Sequence, residues 1–280
     1  MKIEQRMDVD LVWTDKAPKI EPTNILVYHQ EEHGSATALA GKALLGKETP
    51  VAKVYSKLMT VPAINYMPSP MWPEYRIYET RSMDGQRWFV IRIPRCHPLE
   101  ITMSERMNVN NWLYTYPIVR DIILILNQYG VRSLTYMTAD LFSIHPEFKD
   151  YGSIKHGHLG VFNFNNINEE VLEYFGDKRS EHGSDFALAP NVWIWCNTFA
   201  NFNPRGYAKV LLTASSPKFV DMDAADALLN YIQNQYHLPY DENILNQFAS
   251  QLETAADMTY IKMDLEDEQD DDYDMTGWEV

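Results

Sequence analysis

The residues best equipped for chemistry sit in the segment His29-Gln30-Glu31-Glu32-His33-Gly34-Ser35, directly after the apolar run NILVYH. A helix that starts just after a strand turns free backbone N–H groups toward a bound anion. Neither GxGxxG nor GxxxxGK[ST] is spelled here, however, and Glu31 and Glu32 would repel a phosphate. A capped strand–turn–helix junction without nucleotide is the simpler reading. His29 and His33 are four residues apart, but the turn between them breaks helical geometry. His156 and His158 form an HxH pair, with His145 and His182 elsewhere. A zinc site needs three or four converging ligands, and this pattern does not supply them, so no metal and no other cofactor is expected. Cys96 and His97 are adjacent between Pro94 and Pro98. Neighbours on an extended chain point to opposite sides, which prevents a Cys–His couple. Ser215-Ser216 lacks the Gly-x-Ser-x-Gly elbow of a hydrolase nucleophile. Trp193 and Trp195 alternate with Val192, Ile194 and Cys196, which reads as a central strand packed on both faces.

The C-terminus offers a different kind of chemistry. From Lys262 to Val280 there are nine acids and one lysine, a net charge of −8, against −7 for the other 261 residues. Such a run stays solvated. It ends Thr-Gly-Trp-Glu-Val, so Trp278, Glu279 and Val280 place an apolar anchor beside the chain's last carboxylate. That combination suits a docking peptide on a flexible leash.

These residues need elements to hold them. Asn24–His29 reads as a buried strand. Ala36, Leu39, Ala40, Ala43 and Leu44 form one helix face, with Ser35 as its cap and Gly46 just past its end. Val51–Tyr55 follows as a strand, completing a β–α–β unit, a pattern that is usually parallel. Four prolines between residues 58 and 73 mark a loop. Tyr75–Thr80 and Arg87–Ile93 flank Met83-Asp84-Gly85-Gln86, a hairpin signal. Trp112–Tyr129 reads as a helix closed by Gly130, with Pro117 in its first turn or at a kink. Leu134–Thr138 and Lys209–Thr213 read as strands. Residues 140–190 read as irregular, with a short helix at 168–175. Asp221 and Asp241 cap two further helices. The expected fold is α/β: a three-layer sandwich around a mainly parallel sheet plus an antiparallel hairpin. The expected organisation is a loose arm over 1–23, with a short strand near Val9–Trp13, one domain over 24–262, and a disordered acidic tail over 263–280.

Composition narrows the function. The chain has 280 residues, 45% hydrophobic and 22% charged, enough for a full core. A formal charge of −15 argues against nucleic acid and against anionic membranes as partners. No apolar run reaches the roughly 18–20 residues of a membrane span. Two cysteines and an N-terminus without an apolar signal segment point to a cytoplasmic protein.

Four segments together resemble the proteasome assembly chaperone family, in the archaeal and bacterial branch related to the second eukaryotic assembly chaperone. They are ILVYHQEEHGSATALAGKALLG, RWFVIRIPR, IVRDIILILNQYGVRSLTYMTA and AKVLLTASSPKFVDMDAADALLNYIQNQYHL. The resemblance runs from about Ile25 to Leu252. It implies a nucleoside-phosphorylase-like α/β sandwich without catalytic residues, homo-oligomerisation, and binding to the α-ring of the core proteasome. Members acting there end in a hydrophobic residue, tyrosine and any residue. Here Trp278 fits the first position and Glu279 replaces the tyrosine. The leading expectation is therefore a non-enzymatic oligomeric protein-binding factor that docks through Trp278, Glu279 and Val280. The alternative is a small-molecule or nucleotide-binding enzyme of phosphorylase-like or ATP-grasp-like type. Its crevice would lie beyond the strand ends, with Glu31, His33, Gly34, Asp140 and Ser215 as candidates.

Overall fold

Alternation in the strands sorts apolar side chains onto two faces, and each face is roofed by helices. The computed structural model describes residues 1–29, 35–57, 74–93, 108–141, 159–166, 190–215 and 220–254. The strands are β1 (Lys2–Gln5), β2 (Val9–Trp13), β3 (Thr23–His29), β4 (Ala52–Ser56), β5 (Glu74–Arg81), β6 (Arg87–Ile93), β7 (Val131–Leu141), β8 (Leu159–Asn163) and β9 (Tyr207–Ser215). The helices are α1 (Ala36–Leu45), α2 (Asn108–Asn127), α3 (Pro190–Phe202), α4 (Met222–Tyr236) and α5 (242–254). Ile25 and Val27 of β3, Phe89 and Ile91 of β6, and Val210 and Leu212 of β9 face one core, closed by Ile118 and Ile122 of α2 and Trp195 and Phe199 of α3. Leu26, Tyr28, Val90 and Leu211, the intervening residues, face a second core with Leu39 of α1, Leu228 of α4 and Leu245 of α5. The expected three layers follow directly from this period of two.

The sheet is not mainly parallel. Among the described residues its order is β1-β2-β4-β5-β6-β3-β7-β9-β8. Only β6-β3-β7-β9 run parallel to one another, across three pairings. The other five pairings are antiparallel. The hairpin forms as expected, with Arg81 opposite Arg87 and Gly85 at φ 84°. It inserts between β4 and β3, so the β3–α1–β4 unit keeps β4 pointing along β3 but does not place it beside β3. A local β–α–β pattern carries no information about strands that arrive later in the chain.

Three further expectations are corrected. Residues 192–196 lie in helix α3, not in a strand. Val192, Trp195, Cys196 and Phe199 are buried at helical spacing, and the five-residue apolar run could not be told from a strand on its own. The irregular stretch 140–190 contains β8, an edge strand antiparallel to β9. The expected helix at 168–175, the proline loop at 58–73 and the acidic tail over 263–280 lie outside the described residues. Pro117 lies well inside α2, because that helix begins at Asn108.

Residues 1–23, expected as a loose arm, contribute the two outermost strands at that edge of the sheet. Val9, Leu11 and Trp13 of β2 are fully buried. The charges that make this segment look soluble are used in pairing. Glu4 accepts from Trp13 Nε1 at 2.9 Å and from the Tyr129 hydroxyl, and its carboxylate pairs with Lys2 at 3.2 Å. The Asp8 amide donates to Asp121 Oδ2 at 2.9 Å, and Arg120 Nη2 reaches Asp8 Oδ2 at 2.7 Å.

Candidate functional site

The four parallel strands point their carboxyl ends to one edge, β7 and β9 running about three residues beyond β3 and β6, and this is the edge at which ligands of open α/β sheets usually bind. His29 closes β3 opposite Ile93 of β6. In β7 and β9, Asp140 stands opposite Ala214, and Leu141 opposite Ser215. Asp140 and Ser215 are thus on neighbouring strands, one register step apart. Glu31, His33 and Gly34, and the tail residues Trp278, Glu279 and Val280, lie outside the described residues.

Two helices start at this edge on the same face. Ala36 at the start of α1, Ala139 of β7 and Ala224 in the first turn of α4 form a small buried cluster. Such small side chains let both helix starts approach the strand ends. The first turn of α1 is tied down by Thr37, whose hydroxyl donates to the His29 carbonyl at 2.8 Å. Ser35 occupies the N-cap position of α1 but does not act as the expected cap. Its backbone is left-handed at φ 50°, and its side chain makes no capping bond. Asp221 does cap α4 as expected: its Oδ1 accepts from the Ala224 amide at 3.0 Å. The other oxygen, Oδ2, accepts from the Ser215 hydroxyl at 3.3 Å. Ser215 is 1% exposed. A serine so enclosed and bonded to a capping carboxylate has a structural use. Among the described residues no three His, Cys, Asp or Glu side chains converge as metal ligands. Cys196 is buried, and burial pushes its thiol far up, which suits an inert core thiol rather than a nucleophile.

Two arginines of strand β6 were not singled out in the sequence, and one of them lies at this edge. Arg87 is buried at the opposite, amino-terminal end of the parallel strands. Arg92 lies one residue before the carboxyl end, in register with Arg76 of β5 and Tyr28 of β3. The signal was available: in RWFVIRI both arginines occupy positions that alternation assigns to packed faces.

No protein-family model matches the sequence, and no curated protein matches it. Solved structures do. Pyrococcus furiosus PbaB, an archaeal proteasome activator, superposes with a TM-score of 0.59 at 15% identity, covering 91% of this chain and 100% of that one. Pyrococcus furiosus PbaA, an archaeal homologue of proteasome-assembly chaperone, gives a TM-score of 0.53 at 13% identity, over 94% of this chain and 96% of that one. A Thermoplasma acidophilum protein of unknown function gives 0.52 at 15% identity, over 90% and 91% of the two chains. Over nearly its whole length, this chain has the fold of the archaeal proteasome-assembly-chaperone homologues.

Proposed function

We propose that the protein is a non-enzymatic, homo-oligomeric binding factor of the cytoplasm, related in function to proteasome assembly chaperones. The observation that carries this is the end-to-end likeness to an archaeal proteasome activator, 91% of one chain against 100% of the other. Asp221 caps α4 and also holds the buried Ser215 hydroxyl, which gives a structural use to one candidate of the rival enzyme reading. The partner is the α-ring of the core proteasome. The tail delivers Trp278 as an apolar anchor with Val280 beside it, while Glu279 stands where a tyrosine would otherwise help to seat it. Several tails on one oligomer raise avidity without any new contact. Among the described residues no helix is long and apolar enough to cross a membrane.

The test uses purified core proteasome from the native host. Full-length protein and a variant ending at Lys262 are each titrated against it by surface plasmon resonance, with oligomeric state measured in parallel by light scattering. The expected result is binding by the full chain that falls by more than tenfold on truncation, with both proteins oligomeric. Equal binding by the two would overturn tail docking, and no binding by either would overturn the proteasome partner.

A further inference from the structure

Three basic side chains occupy one row across neighbouring strands. Lys53 of β4 is opposite Arg76 of β5, Arg76 is opposite Arg92 of β6, and Arg92 is opposite Tyr28 of β3. At the usual strand spacing the row spans roughly 15 Å. Register partners share a face of the sheet, and this is the face of Tyr28. Like charges directly opposite each other destabilise a sheet, so the pairing of Arg76 with Arg92 calls for a counter-charge. The described residues supply one carboxylate, Glu74, and it is engaged by Arg76 at 2.5 Å and by Lys53 at 3.3 Å. Arg92 is half-buried, and its enclosed Nε meets no hydrogen-bond acceptor among the described residues. A guanidinium in that state is a costly feature for a core strand.

The end of the row is rigid. Tyr28 is buried, and Gly41 of α1 presses against its ring so closely that an added Cβ would stand 2.4 Å from a ring carbon. Burial keeps the Tyr28 phenol protonated, with Arg92 and Arg76 acting in the opposite direction. The next residues along, His29 and Ile93, are the last of β3 and β6. The row therefore lies one step inside the carboxyl edge, where ligands of such sheets bind.

We infer that Arg92 and Arg76 form an oxyanion site, which takes the phosphate or carboxylate group of a small molecule between their guanidinium groups, with Lys53 on its flank. The planar fork of an arginine matches either group bidentately. This goes beyond the protein-binding role and does not depend on it.

The test is calorimetric titration of the full-length protein with inorganic phosphate and, separately, with citrate, at ionic strength matched by potassium chloride. One saturable site is expected. The tighter of the two probes tells whether phosphate or carboxylate is the group recognised. Arg92→Gln should weaken binding by about tenfold or more, the scale of one lost charge-assisted pair. It should also raise the thermal midpoint in the absence of either anion, because it removes the like-charge opposition. A purely structural Arg92 would do the reverse. Lys53→Gln, at a half-exposed position outside the core, should weaken binding a few-fold and serves if the arginine variant folds poorly. No saturable binding of either anion by the natural protein, or binding unchanged in both variants, would overturn the site.

Discussion

Arg87→Met tests how the amino-terminal end of the sheet is held. The Arg87 side chain is 1% exposed, yet every part of its guanidinium is used. Nε donates to Thr23 Oγ1 at 2.8 Å, and Nη1 donates to the Lys19 carbonyl at 2.8 Å. Nη2 donates to the carbonyls of Tyr129 at 2.9 Å and Glu21 at 3.3 Å, while the Glu21 carboxylate lies 3.3 Å from Nε. The group also stacks over Phe89, 4.9 Å from the ring centre. One side chain thus joins the approach to β3, the end of α2 and the start of β6. Burial lowers its pKa, and the Glu21 carboxylate works against that, so the cation persists at any ordinary pH. The Glu21 carboxylate is a third exposed and keeps Arg81, so the loss lies in the charge-assisted hydrogen bonds, at about 1.5–3 kcal/mol each and about 3–5 kcal/mol together once some acceptors find other donors. Methionine keeps the stem's volume, so little of that loss is cavity. The carbonyls share the damage unequally. The Glu21 carbonyl keeps the Thr23 hydroxyl at 2.8 Å and the Tyr129 carbonyl keeps the Glu21 amide at 3.4 Å, whereas the carbonyl of Lys19 belongs to an exposed residue and can turn to water. The expected loss is therefore toward the lower end, about 3 kcal/mol, a large fraction of the ~5–15 kcal/mol that holds a typical domain. Urea denaturation should show it as a lower midpoint at unchanged slope. Arg87→Lys, which keeps the charge and one or two bonds, should lose about half as much. A methionine variant within about 1 kcal/mol of the natural protein, below the cost of even one typical buried hydrogen bond left unmade, would refute the reasoning.

Three other outcomes follow from the same geometry. Gly130→Ala places a Cβ 2.4 Å from the Glu21 carbonyl oxygen at a residue with φ 86°; left-handed backbone alone costs about 1–2 kcal/mol, so thermal unfolding should show more than that. Burial pushes the Glu4 carboxyl up, but bonds from Tyr129, Trp13 and Lys2 outweigh it and leave its pKa below the ordinary 4.5. A lowered folded-state value means that its stabilisation is full above the unfolded value and is lost as pH falls through the folded one. Hydrogen-exchange protection in β1 and β2, taken relative to the intrinsic rate at each pH, should therefore fall below about pH 4, and Glu4→Gln should flatten that dependence. Asp221→Ala should cost roughly 1–2 kcal/mol through the lost cap of α4, while Asp221→Asn should be nearly neutral, as checked by denaturant midpoints.

What could be read from the sequence was local. The Asp84-Gly85 hairpin and the aspartate caps at 221 and 241 came out as expected, because each depends on a few neighbouring residues. Asp241 indeed accepts from the amides of Asn243 and Ile244. Sheet order did not come out, since it depends on which strands arrive between β4 and β3. Nor did the docking of residues 1–13, whose charges look solvated until Tyr129, Asp121 and Arg120 are brought alongside from more than a hundred residues away.

The candidate site failed to show for a related reason, and the two arginines of β6 make the point. In the sequence the candidate chemistry falls at strand ends, at residues such as His33 and Ser215, while RWFVIRI reads as a hairpin strand and as part of the family resemblance. A charge at a position that alternation buries is the stronger signal, because burial must be compensated by something. For Arg87 the compensation is visible: carbonyls, a hydroxyl and Glu21 close around it. For Arg92, five residues along the same strand but on the opposite face, no such ring of acceptors closes around its Nε among the described residues, and one of its register partners is another arginine. The two residues share a strand and a chemistry but differ in what surrounds them. That difference separates an arginine that holds the fold together from one that is placed to hold something else.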